Sequence, residues 1–158
     1  MLISQIMTRS TKACSPDMNL AQATELLWTA ACGALPVVDS SNKVTGIITD
    51  RDICIALGTR NRLASELTVE QAMSASPYVC HAGEDIHTAL TTMRERKIRR
   101  LPVVTAEGTL QGMLCASDVL LHARHDDGTN PELSYENIVS TLKGIYCHSQ
   151  PMCASSPH

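Results

Sequence analysis

Aromatic side chains are almost missing: the chain has no Phe, one Trp (Trp28) and three Tyr. That leaves few platforms on which bases could stack and argues against nucleic-acid binding. An excess of positive charge is missing too. The net charge of -3 gives no general attraction to nucleic acid or to an acidic membrane, both of which favour basic proteins. No apolar run approaches the roughly 18 residues that a membrane span needs. The N-terminal MLISQIMTRST lacks a basic region followed by a long apolar core, so no signal peptide is expected. Seven cysteines are an odd count; without an export signal, free thiols are the default and the cytoplasm is the expected compartment. The chain also contains no Walker loop, no GxGxxG and no nucleophile elbow, so an enzyme is not expected.

What the chain does have is a repeat. LPVVDSSNKVTGIITDRD, from Leu35 to Asp52, returns 66 residues later as LPVVTAEGTLQGMLCASD, from Leu101 to Asp118, with no insertion or deletion. Met7 and Met73, Cys14 and Cys80, Ala23 and Ala89, and Gly46 and Gly112 fall at the same offset. One shared offset over so long a stretch points to a duplicated unit. A unit of about fifty-five residues buries only roughly 60% of its unfolded surface, so two such halves are expected to pack against each other.

The local pattern is the same in both halves. Leu2, Ile3, Ile6 and Met7 suggest a helical turn, and Val69–Met73 its counterpart. A brief strand is expected at Thr11–Cys14, and again at Tyr78–Cys80. Asn19 with Gln22 forms a capping-box signature, and Leu20, Ala23, Leu27 and Ala30 recur at helical spacing. Gly33 is the expected C-terminal glycine of that helix. Leu35–Asp39 and Val44–Thr49 read as strands of a hairpin, and a helix is expected from Asp50 to Leu57, ended by Gly58. Gly46 inside its strand predicts a close approach by a neighbour or a ligand. The second half predicts a helix near Asp85–Lys97, strands at Leu101–Thr105 and Leu110–Cys115, and a helix at Ser117–Arg124. A last amphipathic helix is expected over Leu133–Ile145, followed by a loose tail. The fold class is α+β, two β-α-β-β-α repeats. The expected divisions are repeat 1 at 1–60, a connector at 61–72, repeat 2 at 73–124, and a C-terminal helix and tail at 125–158.

The ordered set of Met-Thr, helix with central Ala, LPVVD, Gly-Ile-Ile-Thr-x-x-Asp, and its return at fixed spacing resembles a tandem cystathionine-β-synthase (CBS) domain pair, or Bateman module. The resemblance covers roughly residues 2 to 123. It implies two repeats related by a pseudo-twofold axis, packed through their sheets, with two clefts that take adenosine-containing ligands such as AMP, ADP, ATP, NAD or S-adenosylmethionine. It further implies a regulatory rather than catalytic role, pairing into a homodimer through the helices, and a regulated protein partner whose identity is unknown.

Within this resemblance Thr49 and Asp52 match the family's Thr-x-x-Asp, with the Asp on ribose hydroxyls and the Thr towards phosphate. A strand running directly into a helix leaves free backbone N–H groups, and an Asp in the first turn offers acceptors to a diol. Thr and Asp are also the commonest helix caps, and the motif alone leaves both roles open. In the second half Asp118 is retained, but Cys115 replaces the Thr, and Ser117 is the nearest hydroxyl. Of Arg94, Arg96, Lys97, Arg99 and Arg100, the last two directly precede the strand, where the family often places a phosphate-facing side chain, and Arg forks match phosphate. The others suit a solvated helix end. Leu35, Pro36, Leu101 and Pro102, with Ala13 and Val79, would wall a purine in the family's arrangement and equally suit a core. Cys14 and Cys80 read as small buried hydrophobes. His122, His125, Asp126 and Asp127 are residue types that bind metals but read as a polar loop, and Cys147, His148 and Cys153 lack any paired C-x-x-C spacing. The alternative function is a ligand-free dimerisation scaffold that recruits a partner through its C-terminal segment.

Overall fold

The computed structural model describes residues 1–125 and 132–147. The expected tail at 148–158, with His148 and Cys153, and also Asp126 and Asp127, lie outside the described residues. A 3-10 turn at Ile3–Gln5 is followed by α1 (Leu20–Thr29), β1 (Ala34–Val38), β2 (Val44–Thr49) and α2 (Asp50–Arg60). A 3-10 turn at Ala64–Glu66, α3 (Val69–Ala72) and β3 (Ser74–Ala75) lead to β4 (Cys80–His81), α4 (Ile86–Arg96), β5 (Arg100–Val104), β6 (Leu110–Cys115), α5 (Ala116–His122) and α6 (Tyr135–Tyr146). This is an α+β fold with two three-stranded sheets, ordered β1-β2-β3 and β4-β5-β6.

The helices begin where side chains satisfy the free N–H groups of the first turn. Asn19 and Gln22 close the expected capping box on α1. Asp85 caps α4 through the N–H of His87, and Ser134 with Asn137 caps α6. The helix ends differ from expectation. The left-handed residue after α1 is Ala31 (φ 48°), not Gly33, and α2 runs through Gly58 to a left-handed Asn61 (φ 50°). Thr11–Cys14 forms no strand; Cys14 alone bridges to Val37, its N–H donating to the Pro36 carbonyl at 3.1 Å.

Each hairpin pairs antiparallel with its register shifted at one place, between Val37 and Val38 and between Val103 and Val104. The two hairpin turns then join the halves reciprocally. The N–H of Val44 donates to the carbonyl of Gly108, and the N–H of Leu110 to that of Asn42, both at 3.0 Å. These four residues are two pairs at the 66-residue offset, and Asn42 (φ 59°) and Gly108 (φ 85°) share the left-handed conformation. A pseudo-twofold axis therefore passes between the turns.

The leading segment of each half packs into the other half. Ile3, Ile6 and Met7 lie in one core with Ile86, Leu90, Met93, Leu101 and Leu114. Leu67 and Val69 lie in the second core with Leu20, Leu35, Val37 and Ile48. Thr8 exchanges two 2.9 Å backbone bonds with Met113, while β3 pairs with β2 at Gly46 and Ile47. Gly46 and Gly112 make room for these crossings. A Cβ at Gly112 would overlap the Thr8 carbonyl oxygen, and one at Gly46 would meet Met73 and the Ser74 carbonyl. The close approach expected at Gly46 is thus made by the chain itself. Burying Ile3 completely stabilises this exchange by about 2 kcal/mol.

Candidate functional site

The 66-residue repeat places a strand-to-helix junction at the same point of each half, and the larger cavity opens at the first. Thr49 ends β2 and caps α2. Its N–H and hydroxyl donate to one oxygen of Asp52, Oδ2, at 2.9 and 2.7 Å, and its hydroxyl accepts from the Asp52 N–H at 3.1 Å. Capping is therefore real. It engages only Oδ2, and no hydrogen bond among the described residues uses Oδ1. A cap and a ligand contact can coexist on the same carboxylate.

The cavity has a volume of about 600 Å³ and is open to solvent. The first half contributes Ile47, Thr49 and Asp52, the crossing segment Ser74 to Tyr78, and the second half Lys97 to Arg100. The C-terminal helix closes one side with Ile145 and Tyr146. The floor includes backbone because β3 lies along β2, presenting strand edge where a flat ring could lie. Lys97 adopts a left-handed conformation (φ 55°) that ends α4 and turns the chain towards Arg99 and Arg100. Gly33 stands against Arg100: a Cβ there would lie 2.9 Å from the guanidinium Nη2 and 3.2 Å from Asp50 Oδ2.

Of the residues singled out from the sequence, the structure brings Thr49, Asp52 and Arg100 together. A smaller hollow of about 230 Å³ beside them is lined by Ser117 with Arg99, Arg100, Cys115 and Tyr146. Asp118 lines neither cavity; its Oδ2 accepts from the N–H of Cys115 at 2.8 Å. The Cys115 thiol gives α5 no side-chain cap, and burial first, then the Asp118 charge, pushes it up to about 11.

The expected purine walls sit elsewhere. Leu35 and Leu101 are fully buried in the two cores, and Pro36 and Pro102 are buried beside them. Ala13 is half-buried and Val79 exposed, and neither lines the larger cleft. Sequence reasoning missed Ser74–Tyr78 and Tyr146, and it assigned Lys97 to a solvated helix end although Lys97 lines the cleft with Arg99 and Arg100. The first could have been found from the offset, since Ser74 is the counterpart of Thr8. Among the described residues no cluster of His, Cys, Asp or Glu could hold a metal ion.

Comparison with known proteins decides the family, because the CBS domain model matches residues 3–59 and again 69–125. The chain belongs to the CBS domain family. Its two matches carry one lead segment, one hairpin and two helices each, so the CBS pair is the whole of the duplicated unit. The CBS pair is 33% identical over 112 residues to inosine-5'-monophosphate dehydrogenase of Mycobacterium leprae, covering 71% of this chain. It spans about a fifth (20%) of that enzyme's length. Among solved structures, CBSX2 of Arabidopsis thaliana in complex with AMP is 28% identical with a TM-score of 0.67, covering 76% of this chain and 93% of the other. The CBS pair of protein MJ0100, in complex with 5-methylthioadenosine and S-adenosylmethionine, is 25% identical with a TM-score of 0.70, covering 77% and 98%.

Proposed function

We propose that this CBS pair is a regulatory module that takes an adenosine-containing ligand, AMP, ADP, ATP or NAD, in the cleft between its repeats. The observation that carries the reading is the cleft of about 600 Å³ with Thr49 and Asp52 from one repeat and Arg100 from the other. Oδ1 of Asp52 supplies an acceptor for a ribose diol, and a guanidinium suits a phosphate. CBSX2 with AMP, and the MJ0100 pair with two adenosyl ligands, support the choice of ligand class.

Binding acts by favouring one arrangement of the repeats, or of two copies, and works only as far as the ligand prefers that arrangement. Trp28 on α1, Ile55 on α2 and Leu121 on α5 are exposed apolar residues suited to pairing with a second copy. The same residues would serve a ligand-free scaffold. The two readings separate in a thermal-shift panel of adenosine ligands. At a hundred times its Kd a ligand stabilises by about 2.7 kcal/mol, a rise of roughly 5 to 10 °C in Tm. Asp52→Ala should cost the unliganded protein about 1 kcal/mol through the lost capping-box bonds from Thr49 to Oδ2 and abolish the rise. A full rise in Asp52→Ala places the ligand elsewhere; no rise with any ligand in the parent protein favours the scaffold.

A further inference from the structure

Beyond the residues that the family matches, α6 adds a helix with two apolar faces. Ile138 and Ile145 are buried in the core of the second repeat, which accounts for one face. The other faces solvent, where a surface helix is normally polar. Tyr135 (49% exposed), Val139 (49%) and Tyr146 (54%) form it, with Leu142 partly buried in line with them. Tyr146 also reaches the cleft, where its hydroxyl accepts from Arg99, and its ring stays half exposed. These four residues stand 4, 3 and 4 positions apart, the spacing with which two helices interlock their side chains. Leu120 of α5, itself 49% exposed, continues the stripe: it lines a hollow of about 230 Å³ together with Leu142 and Tyr146. A contiguous apolar stripe of this kind marks a contact surface, which a single exposed residue does not.

The spacing reads the same from either end, and so do the charges beside it. Laid end for end on a second copy, Tyr135 of one chain meets Tyr146 of the other, and Val139 meets Leu142. The position after Tyr135 holds Glu136, and the position after Leu142 holds Lys143. In that antiparallel pairing each Glu136 lies beside the second copy's Lys143, twice by symmetry. A parallel pair would set like charges at the same level. Among the described residues neither Glu136 nor Lys143 has an ion pair within its own chain. We propose that α6 is a self-docking surface: two copies of this chain pair antiparallel through Tyr135, Val139, Leu142 and Tyr146, with Glu136 and Lys143 bridging between them. Stable pairs bury roughly 800 Å² per partner, so the contact takes in Leu120 of α5 as well as the helix. This seam lies outside the duplicated repeats, uses neither Trp28 nor Ile55, and holds whether or not the cleft takes an adenosine.

The test is sedimentation velocity of the full chain over a range of concentrations. The proteins compared are the parent, Val139→Glu, Glu136→Lys, Lys143→Glu and the double variant Glu136→Lys/Lys143→Glu. The parent should be a dimer that dissociates on dilution. Val139→Glu changes an exposed position, so it should leave a monomer with an unchanged circular-dichroism spectrum. Either single reversal places two like-charged contacts in the seam and should weaken the pair roughly tenfold, a difference that shrinks as salt is raised. The double variant restores opposite charges and should regain the parent affinity, which no folding defect would do. A parent dimer that Val139→Glu retains puts the contact on another face and overturns the proposal. A double variant as weak as the single reversals overturns the antiparallel seam. A monomer at every concentration overturns the pairing outright and leaves the stripe to a different protein.

Discussion

Cys14 and Cys80 occupy one structural position in two copies. Each is buried, and each thiol lies 3.8 Å from the carbonyl of a proline, Pro36 or Pro102. Burial pushes Cys14 up to about 11 and Cys80, with Glu84 adding to it, up to about 12. Because the thiolate is the reactive form, alkylation of the native protein at pH 8 should label exposed Cys32, Cys54 and Cys147 about a hundredfold faster than Cys14 or Cys80. Peptide mapping reads the outcome, and labelling of Cys14 as fast as Cys54 would contradict the assigned burial. At this scale much was legible. Small apolar residues at equivalent places predicted buried thiols, and Thr49 with Asp52 predicted the junction. What the letters could not separate was cap from ligand contact, because the answer lies in how two carboxylate oxygens are shared out. Lys97 was not legible either: its place in the cleft follows from a left-handed turn.

At the scale of elements, the exchange of leading segments is what locks the halves. It predicts an asymmetry between two equivalent glycines. Gly112→Ala would drive a Cβ into the Thr8 backbone, whereas Gly46→Ala meets chiefly the flexible Met73 side chain. Overpacking against backbone should cost about 1–3 kcal/mol at Gly112 and less at Gly46, measured by urea denaturation. Equal costs would mean that the N-terminal segment is not docked as described. The hairpins and main helices were readable from alternation, helical spacing and caps. The two-residue strand β3 was not, since Ser74 and Ala75 are strand only because β2 offers them an edge. Gly33 and Gly58 looked like helix terminators by residue type alone; Gly33 instead stands against Arg100, and Gly58 lies within α2.

For the whole molecule, the pseudo-twofold axis accounts for the two cores and the paired turns, and the C-terminal helix breaks it. α6 lies against the stem of Arg94 at Gly144 and helps bury Leu90 of α4. The counterparts on α1, at the 66-residue offset, are Trp28 and Thr24, both exposed. One repeat therefore carries its own covering helix and the other an open helical face. α6 lends a wall both to the smaller hollow at Ser117, through Leu142 and Tyr146, and to the larger cleft at Asp52, through Ile145 and Tyr146. The central claim is that this cleft is where an adenosine ligand sits. It is tested most directly by following backbone amide NMR signals as AMP, ADP, ATP and NAD are added in turn. Binding in the cleft predicts that at least one ligand moves the signals of residues 47–52, 74–78, 97–100 and 145–146 most, and that Asp52→Ala removes the effect. Changes confined to other regions, or none with any of the four, would contradict it.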